Sequence, residues 1–367
     1  MKIVIIGGHL TPALSVIEEL EGKADILYIG RKHAIEGDKA VSLEYTTILE
    51  KKIPFAEIKT GRFQRSLTRH TLPSFAKTPG GFLRAVLILK RFKPDVVVGF
   101  GGYVSVPVTL AAKALKIPVV IHEQTLEAGG ANRFISKFAD KVCISFDTSL
   151  KYFPREKVVL TGNPVRQTIY YPRKRFSLYS KDPVIYITGG SQGSHFINHL
   201  ISQTLAKLLD KYILIHQTGD SKEFKDFDKL TILKDGLNNG KRDRYIISKF
   251  YSPYEVGAVM KRADLVISRA GVNTISELIV LEKPSYLIPL PISQKDEQIK
   301  NAEFLKKLGL GEVGYQKSLT PDIFLREVTW MMDNLKNYKI KHHKSHFPKN
   351  AAQKIAQEIY AASKNSN

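Results

Sequence analysis

Cysteine is nearly absent: Cys143 is the single thiol in 367 residues. One thiol closes no internal disulfide, so the fold must rest on its apolar cores, and a reducing compartment is expected. Cys143 sits in the apolar stretch Lys141–Ser145 and reads as a packed side chain rather than a nucleophile. No stretch reaches the ~18–20 uninterrupted apolar residues that cross a bilayer. The opening Met-Lys-Ile-Val-Ile-Ile-Gly-Gly reads as a short strand entering a turn, not as a signal-peptide core. A soluble or peripheral cytoplasmic protein is therefore expected. Cysteine–histidine zinc spacing is missing. So are helix-turn-helix and RNP patterns, which argues against a nucleic-acid partner. Acidic residues are few, 35 against 56 Lys and Arg, leaving a net charge of +21. That excess calls for an anionic partner, either a phosphorylated substrate or an anionic membrane surface.

What is present is a regular alternation. Lys2–Gly8, Asp25–Gly30, Asp95–Phe100, Pro118–His122 and Lys141–Ser145 are short apolar runs, with helical segments such as Thr11–Leu20 and Val106–Leu115 between them. A second series, Val184–Thr188, Tyr212–Gln217, Tyr245–Phe250, Leu265–Ser268 and Ser285–Pro289, begins after Asn163-Pro164. Such runs are the pattern of parallel strands covered on both faces. The length suits two domains, so the fold class is α/β, two doubly wound parallel-sheet units in tandem. Their boundary falls near Leu160–Arg166. Ligands of such sheets sit beyond the C-terminal strand ends, so a cleft between the units is expected.

Several strand ends carry chemistry. Gly189-Gly190-Ser191-Gln192-Gly193 follows one strand and opens a helix. Glycines admit an anion to backbone N–H groups and a helix dipole, although a plain tight turn has the same look. Ser268–Glu277 repeats the arrangement, with Arg269 beside a glycine turn and Asn273 or Thr274 able to cap a helix. Glu277 could accept from ribose hydroxyls or complete a capping box. In the first unit, Gly7-Gly8-His9 places an imidazole at a strand end, where it could act as general base or simply cap a helix. His122-Glu123-Gln124 sets three polar residues at another. Asp226-Phe227-Asp228 lies in a lysine-rich stretch that reads as poorly structured, and no metal site is expected there. From Lys51 to Lys93 there are eleven Lys or Arg and one acid, interleaved with Phe55, Phe63, Phe75, Phe82, Leu83, Val86, Leu87 and Phe92. Apolar groups ringed by cations suit an anionic lipid surface.

In this order the segments resemble the MurG family of undecaprenyl-diphospho-muramoylpentapeptide N-acetylglucosaminyltransferases, within glycosyltransferase family 28. The specific stretches are Val97–Ser105, Pro118–Gln124, Thr161–Arg166, Gly189–Gly193, Ser268–Glu277 and Asp296–Asn301. The resemblance implies a GT-B fold. Its N-terminal Rossmann-like domain, 1–163, would bind acceptor and membrane. Its C-terminal domain, 164–345, would bind the UDP-sugar, and 346–367 would be a helix packing back on the first domain. Arg166 and Tyr251 would lie near the uracil, and Glu277 would hold the ribose. Ser191, Arg269, Val272, Asn273 and Thr274 would hold the diphosphate, with Gln192 and Asn198 also binding substrate. Gln298 and Asn301 would read the sugar. The acceptor would meet Gly7, Gly8, His9, Tyr103, Glu123, Thr125 and Asn132.

The implied activity is metal-independent, inverting transfer of N-acetylglucosamine from UDP-N-acetylglucosamine to lipid I, giving lipid II at the cytoplasmic face of a bacterial membrane, with no cofactor. His9 is the expected base, with Glu123 as alternative or helper. Two departures bear on the acceptor. The family's first loop is longer, Gly-Gly-Thr-Gly-Gly-His, and Thr125 stands where the family has asparagine. Another lipid acceptor, or a UDP-N-acetylglucosamine 2-epimerase on the same architecture, are the competing expectations.

Overall fold

The computed structural model describes residues 1–33, 41–58, 71–172, 176–178, 180–190, 192–293, 296–340 and 350–364, with only the backbone of 71–78. Its internal contacts divide into two compact units, Met1–Val165 with Ser345–Asn367, and Arg166–Lys344.

The first unit holds strands β1 (Lys2–Ile6), β2 (Asp25–Gly30), β3 (Phe55–Glu57), β4 (Val96–Gly99), β5 (Val119–Glu123), β6 (Lys141–Ile144) and β7 (Val158–Leu160). They pair in the order β3-β2-β1-β4-β5-β6-β7, every described pairing parallel. The central strands are Val- and Ile-rich and fully buried, as a sheet covered on both faces requires. One face packs under the helix Ser105–Ala114 through Val106, Val108, Ala111 and Ala112. The other is closed by the helices Leu10–Leu20 and Ala351–Lys364, whose Val16, Ile355 and Ile359 share one cluster with Ile3, Ile5 and the Cys143 thiol. Burial drives that thiol's pKa up, so it is inert packing.

The second unit repeats the plan with β8 (Val184–Thr188), β9 (Ile213–Gln217), β10 (Tyr245–Ser248), β11 (Leu265–Ser268), β12 (Ser285–Leu287) and β13 (Gly311–Val313). Their order is β10-β9-β8-β11-β12-β13, again parallel. In both sheets the order reverses beside the first strand, between β1 and β4 and between β8 and β11. A crevice opens at such a reversal because successive helices leave on opposite faces. Two doubly wound units of this kind are the GT-B class. The segment around Asp226 is not poorly structured, as the sequence suggested: Asp226 opens the helix Asp226–Asp235.

Candidate active site

The second sheet's reversal point is hollow. A cavity of about 740 Å³ is lined there by Gly189, Gly190, Gln192, Gly193, His195, Arg269, Gly271, Thr274 and Gln298, among others. Its walls are the turn after β8 and the turn after β11, each running into a helix. Gly190 and Gly193 have φ of +84° and +76°, a region that L side chains avoid. A Cβ on Gly193 would stand 2.0 Å from the Thr218 carbonyl oxygen, so only glycine lets the turn lie against the end of β9. A Cβ on Gly190 would meet nothing within 4 Å, so that backbone faces open space. Ser191 lies outside the described residues.

The helix Val272–Val280 starts at the other wall. Its N-cap is Gly271, and no side chain caps it. Asn273 and Thr274 sit inside its first turn and do not cap it, contrary to expectation. Uncapped N–H groups and the positive end of the dipole are what an anion needs. Arg269 adds a full charge. Its Nη1 donates to the Ile288 carbonyl (3.0 Å) and to Gln316 Oε1 (2.9 Å), which fixes the guanidinium at the cavity wall. Burial lowers its pKa to about 10, still high enough to keep it charged at neutral pH.

The remaining residues expected in this unit divide. Gln298 lines the cavity while its Oε1 accepts from the Leu290 amide (3.0 Å). Asn301 is 1% exposed, and its amide holds the Ala270 carbonyl at 2.9 Å, behind the turn. Val272 is buried as well. Asn198, 2% exposed, donates to the Thr218 carbonyl (3.0 Å) and to Asp226 (2.8 Å), beneath the cavity floor rather than on it. Glu277 is not a capping partner: it accepts from Arg166 Nη2 at 2.6 Å. Two residues 111 positions apart thus form one charged pair. The Tyr251 amide donates to Gln217 Oε1 at 3.3 Å, and its ring meets Phe176 edge-on. His195, Phe196, His199 and Gln316 line the same cavity and were not singled out from the sequence.

In the first unit, Gly7, Gly8 and His9 meet Phe100–Gly102 at the reversal between β1 and β4. A Cβ on Gly8 would be 2.3 Å from the Gly101 carbonyl oxygen, so two backbones pass in contact there. His9 is the N-cap of the helix Leu10–Leu20 but makes no side-chain cap bond. Its Nδ1 lies 2.8 Å from the Phe100 carbonyl oxygen. A carbonyl only accepts, so Nδ1 carries a proton, and in the neutral ring the lone pair then sits on Nε2. The Arg31 guanidinium lies over the Tyr103 ring at 4.5 Å.

Glu123 is in a different condition. It is 1% exposed, and its carboxylate accepts from the Thr125 amide (3.0 Å), the Gly129 amide (2.9 Å) and Asn132 Nδ2 (3.1 Å), with Thr125 Oγ1 at 2.6 Å. Three residues expected to touch the acceptor, Glu123, Thr125 and Asn132, thus bind one another and brace the loop 124–132. In the same unit, the helix Thr71–Phe92 exposes Leu83 and Leu87, 62% and 63% accessible, with Arg84, Lys90 and Arg91 also exposed. Phe63 and the side chain of Phe75 lie outside the described residues. No described helix is long and apolar enough to cross a membrane.

Two family models match the chain. The glycosyltransferase family 28 N-terminal domain matches residues 6–144, and the family 28 C-terminal domain matches residues 184–359. A UDP-N-acetylglucosamine–N-acetylmuramyl-(pentapeptide) pyrophosphoryl-undecaprenol N-acetylglucosamine transferase of Treponema denticola is 34% identical over 87% of this chain and 84% of its own. The enzyme of the same name from Clostridium tetani is 32% identical over 96% of each. The crystal structure of Acinetobacter baumannii MurG superposes with a TM-score of 0.75 at 26% identity, covering 98% of this chain and all of that one. The UDP-GlcNAc 2-epimerase of Neisseria meningitidis shares the fold, with a TM-score of 0.66 at 16% identity over 98% of this chain and all of that one.

Proposed function

The chain belongs to glycosyltransferase family 28, and from that premise we propose that it transfers N-acetylglucosamine from UDP-N-acetylglucosamine to undecaprenyl-diphospho-muramoylpentapeptide, lipid I, giving lipid II for peptidoglycan. The observation that carries this reading is the cavity at the second sheet's reversal point, where glycine turns, an uncapped helix N-terminus and Arg269 surround space sized for a nucleotide sugar. The diphosphate takes the Gly189–Gly193 turn, Arg269 and Gly271–Thr274, while Gln298 meets the sugar. The Arg166–Glu277 pair and Tyr251 form the nucleoside end, with Glu277 accepting from the ribose.

The reaction is a single displacement at the anomeric carbon, with inversion. The acceptor's C4 hydroxyl attacks, its proton goes to a base, and the electron pair of the breaking bond goes to the leaving UDP. Positive groups fixed at the diphosphate stabilise that charge without reorganising. His9 suits the base role because its Nε2 keeps a lone pair. Glu123 has its carboxylate occupied by the loop it braces, which favours His9 over it as the base.

The exposed Leu83–Leu87 face of the helix Thr71–Phe92, edged by Arg84, Lys90 and Arg91, would rest on an anionic membrane surface at its cytoplasmic side. Leu83→Glu with Leu87→Glu should release the protein from phosphatidylglycerol vesicles in a flotation assay. Equal retention of variant and parent would remove that face from membrane docking.

The function itself is tested with radiolabelled UDP-N-acetylglucosamine and lipid I. Label entering the lipid fraction supports the reading. Label moving to free or UDP-linked N-acetylmannosamine would replace it with the epimerase, and transfer to a different polyprenyl acceptor would correct its substrate.

A further inference from the structure

Behind the cavity lies a ladder of buried polar groups whose hydrogen bonds all run one way. The Tyr245 hydroxyl is 2.8 Å from His216 Nδ1, and His216 Nε2 is 3.0 Å from Asn198 Oδ1. Asn198 Nδ2 donates to the Thr218 carbonyl and to Asp226 Oδ2, so its Oδ1 must be the acceptor from His216. His216 therefore donates through Nε2 and accepts at Nδ1 from Tyr245. Burial lowers its pKa to about 3, which keeps it in the neutral form this arrangement needs. The ladder ends on Asp226, 7% exposed, whose Oδ1 lies 2.9 Å from His195 Nδ1.

The carboxylate thus fixes a proton on Nδ1 of His195. The ring is also held in plane, stacked on Phe224 at 3.9 Å between centroids and 12° between planes. Tilting the imidazole out of this plane gives up the stack, and flipping it gives up the bond to Asp226. It is the first residue of the helix that follows the glycine turn, its side chain is 41% exposed, and it lines the cavity with Gly190, Gln192 and Arg269.

We propose that His195 is a diphosphate-binding residue of this site, and that Asp226 is the positioning residue behind it. The inference rests on the nucleotide-sugar reading given above. His195 Nε2–H donates to a non-bridging oxygen of the donor's diphosphate while Nδ1–H donates to Asp226. Both nitrogens then carry protons, and the ring is an imidazolium between two anions. When the bond from the anomeric carbon breaks, its electron pair passes to the leaving diphosphate oxygen, and the fixed imidazolium stabilises the added charge with no proton changing place.

Isothermal titration with UDP and with uridine separates this role from general support of the pocket. His195→Gln should weaken UDP binding ~10-fold or more, the size of one lost charge-assisted bond. Uridine, which lacks the diphosphate, should bind within about twofold of the parent. Asp226→Asn should weaken UDP in the same selective way but less, and His195→Arg should recover part of the loss. Under turnover, His195→Gln should lower kcat as well as raise KM for the sugar nucleotide, since the charge it meets grows in the transition state. The proposal is overturned if His195→Gln leaves UDP affinity unchanged, or if UDP and uridine weaken together. A parent protein that binds UDP no better than uridine would instead sink the nucleotide-diphosphate reading, and His195's role with it.

Discussion

The two sheets reverse their strand order at the same place and use it differently. At the second reversal the backbone does the work: two glycine turns, a helix start without a side-chain cap and a clamped arginine surround empty space. At the first, two turns close on each other, Gly8 against Gly101, and what they present is one imidazole with a defined tautomer. Binding a diphosphate needs many weak donors spread over several ångströms, which a turn and a helix end supply cheaply. Moving one proton needs a single group with a free lone pair, which a side chain supplies. On the proposed reading, one architecture serves retention in one unit and reactivity in the other.

The sharpest way to break this comparison is His9→Ala. Turnover should fall ~10²–10⁴-fold, the usual worth of a positioned base, while UDP affinity by titration stays put. A fall in UDP affinity of similar size would mean that His9 does not divide the labour as described. Gly193→Ala tests the other unit, because the added Cβ meets the Thr218 carbonyl at 2.0 Å in a backbone of φ +76°. It should cost ~2–3 kcal/mol in urea unfolding and abolish tight UDP binding, whereas Gly22→Ala, strained at φ +71° but open to solvent, should cost less.

A property shared by both units is the next test. Each buries one histidine in its sheet, His122 in β5 and His216 in β9, and desolvation lowers both pKa values to about 3. Between that value and the ordinary 6.5 the unfolded chain binds the extra protons, so stability rises with pH across this window. It is lost as pH falls from about 6.5 toward 3, by up to ~1.4 kcal/mol per pH unit for each histidine. Urea midpoints measured at pH 7.5, 6 and 5 should fall accordingly, and His216→Gln should flatten the slope. The smallest expected effect is at the nucleoside end. Glu277→Gln should reduce the preference for UDP over 2′-deoxy-UDP about fivefold, near 1 kcal/mol for one hydrogen bond. Unchanged discrimination would leave Glu277 as a partner of Arg166 alone.

The inner strands were legible because a buried parallel strand has to be apolar along its whole length. The edge strands β3, β7 and β13 were not: three residues carry no period, and half-exposed side chains show no pattern. The glycine turns and His9 could be named from the chain because each follows directly on a strand. His195 could not, since nothing about a histidine at a helix start points to Asp226, 31 positions on.

The sequence alone therefore determined the class of fold, the two-unit plan and the loops at the strand ends, all set by local composition and order. Tertiary structure decided which polar groups remain available to a ligand. Asn198 and Asn301 turned inward to hold backbone, Glu123 was taken up by its own loop, Glu277 found Arg166, and His195 found a carboxylate. A polar side chain acts on a ligand only with the hydrogen-bonding capacity its neighbours leave it, and those neighbours, in most of these cases, come from distant parts of the chain.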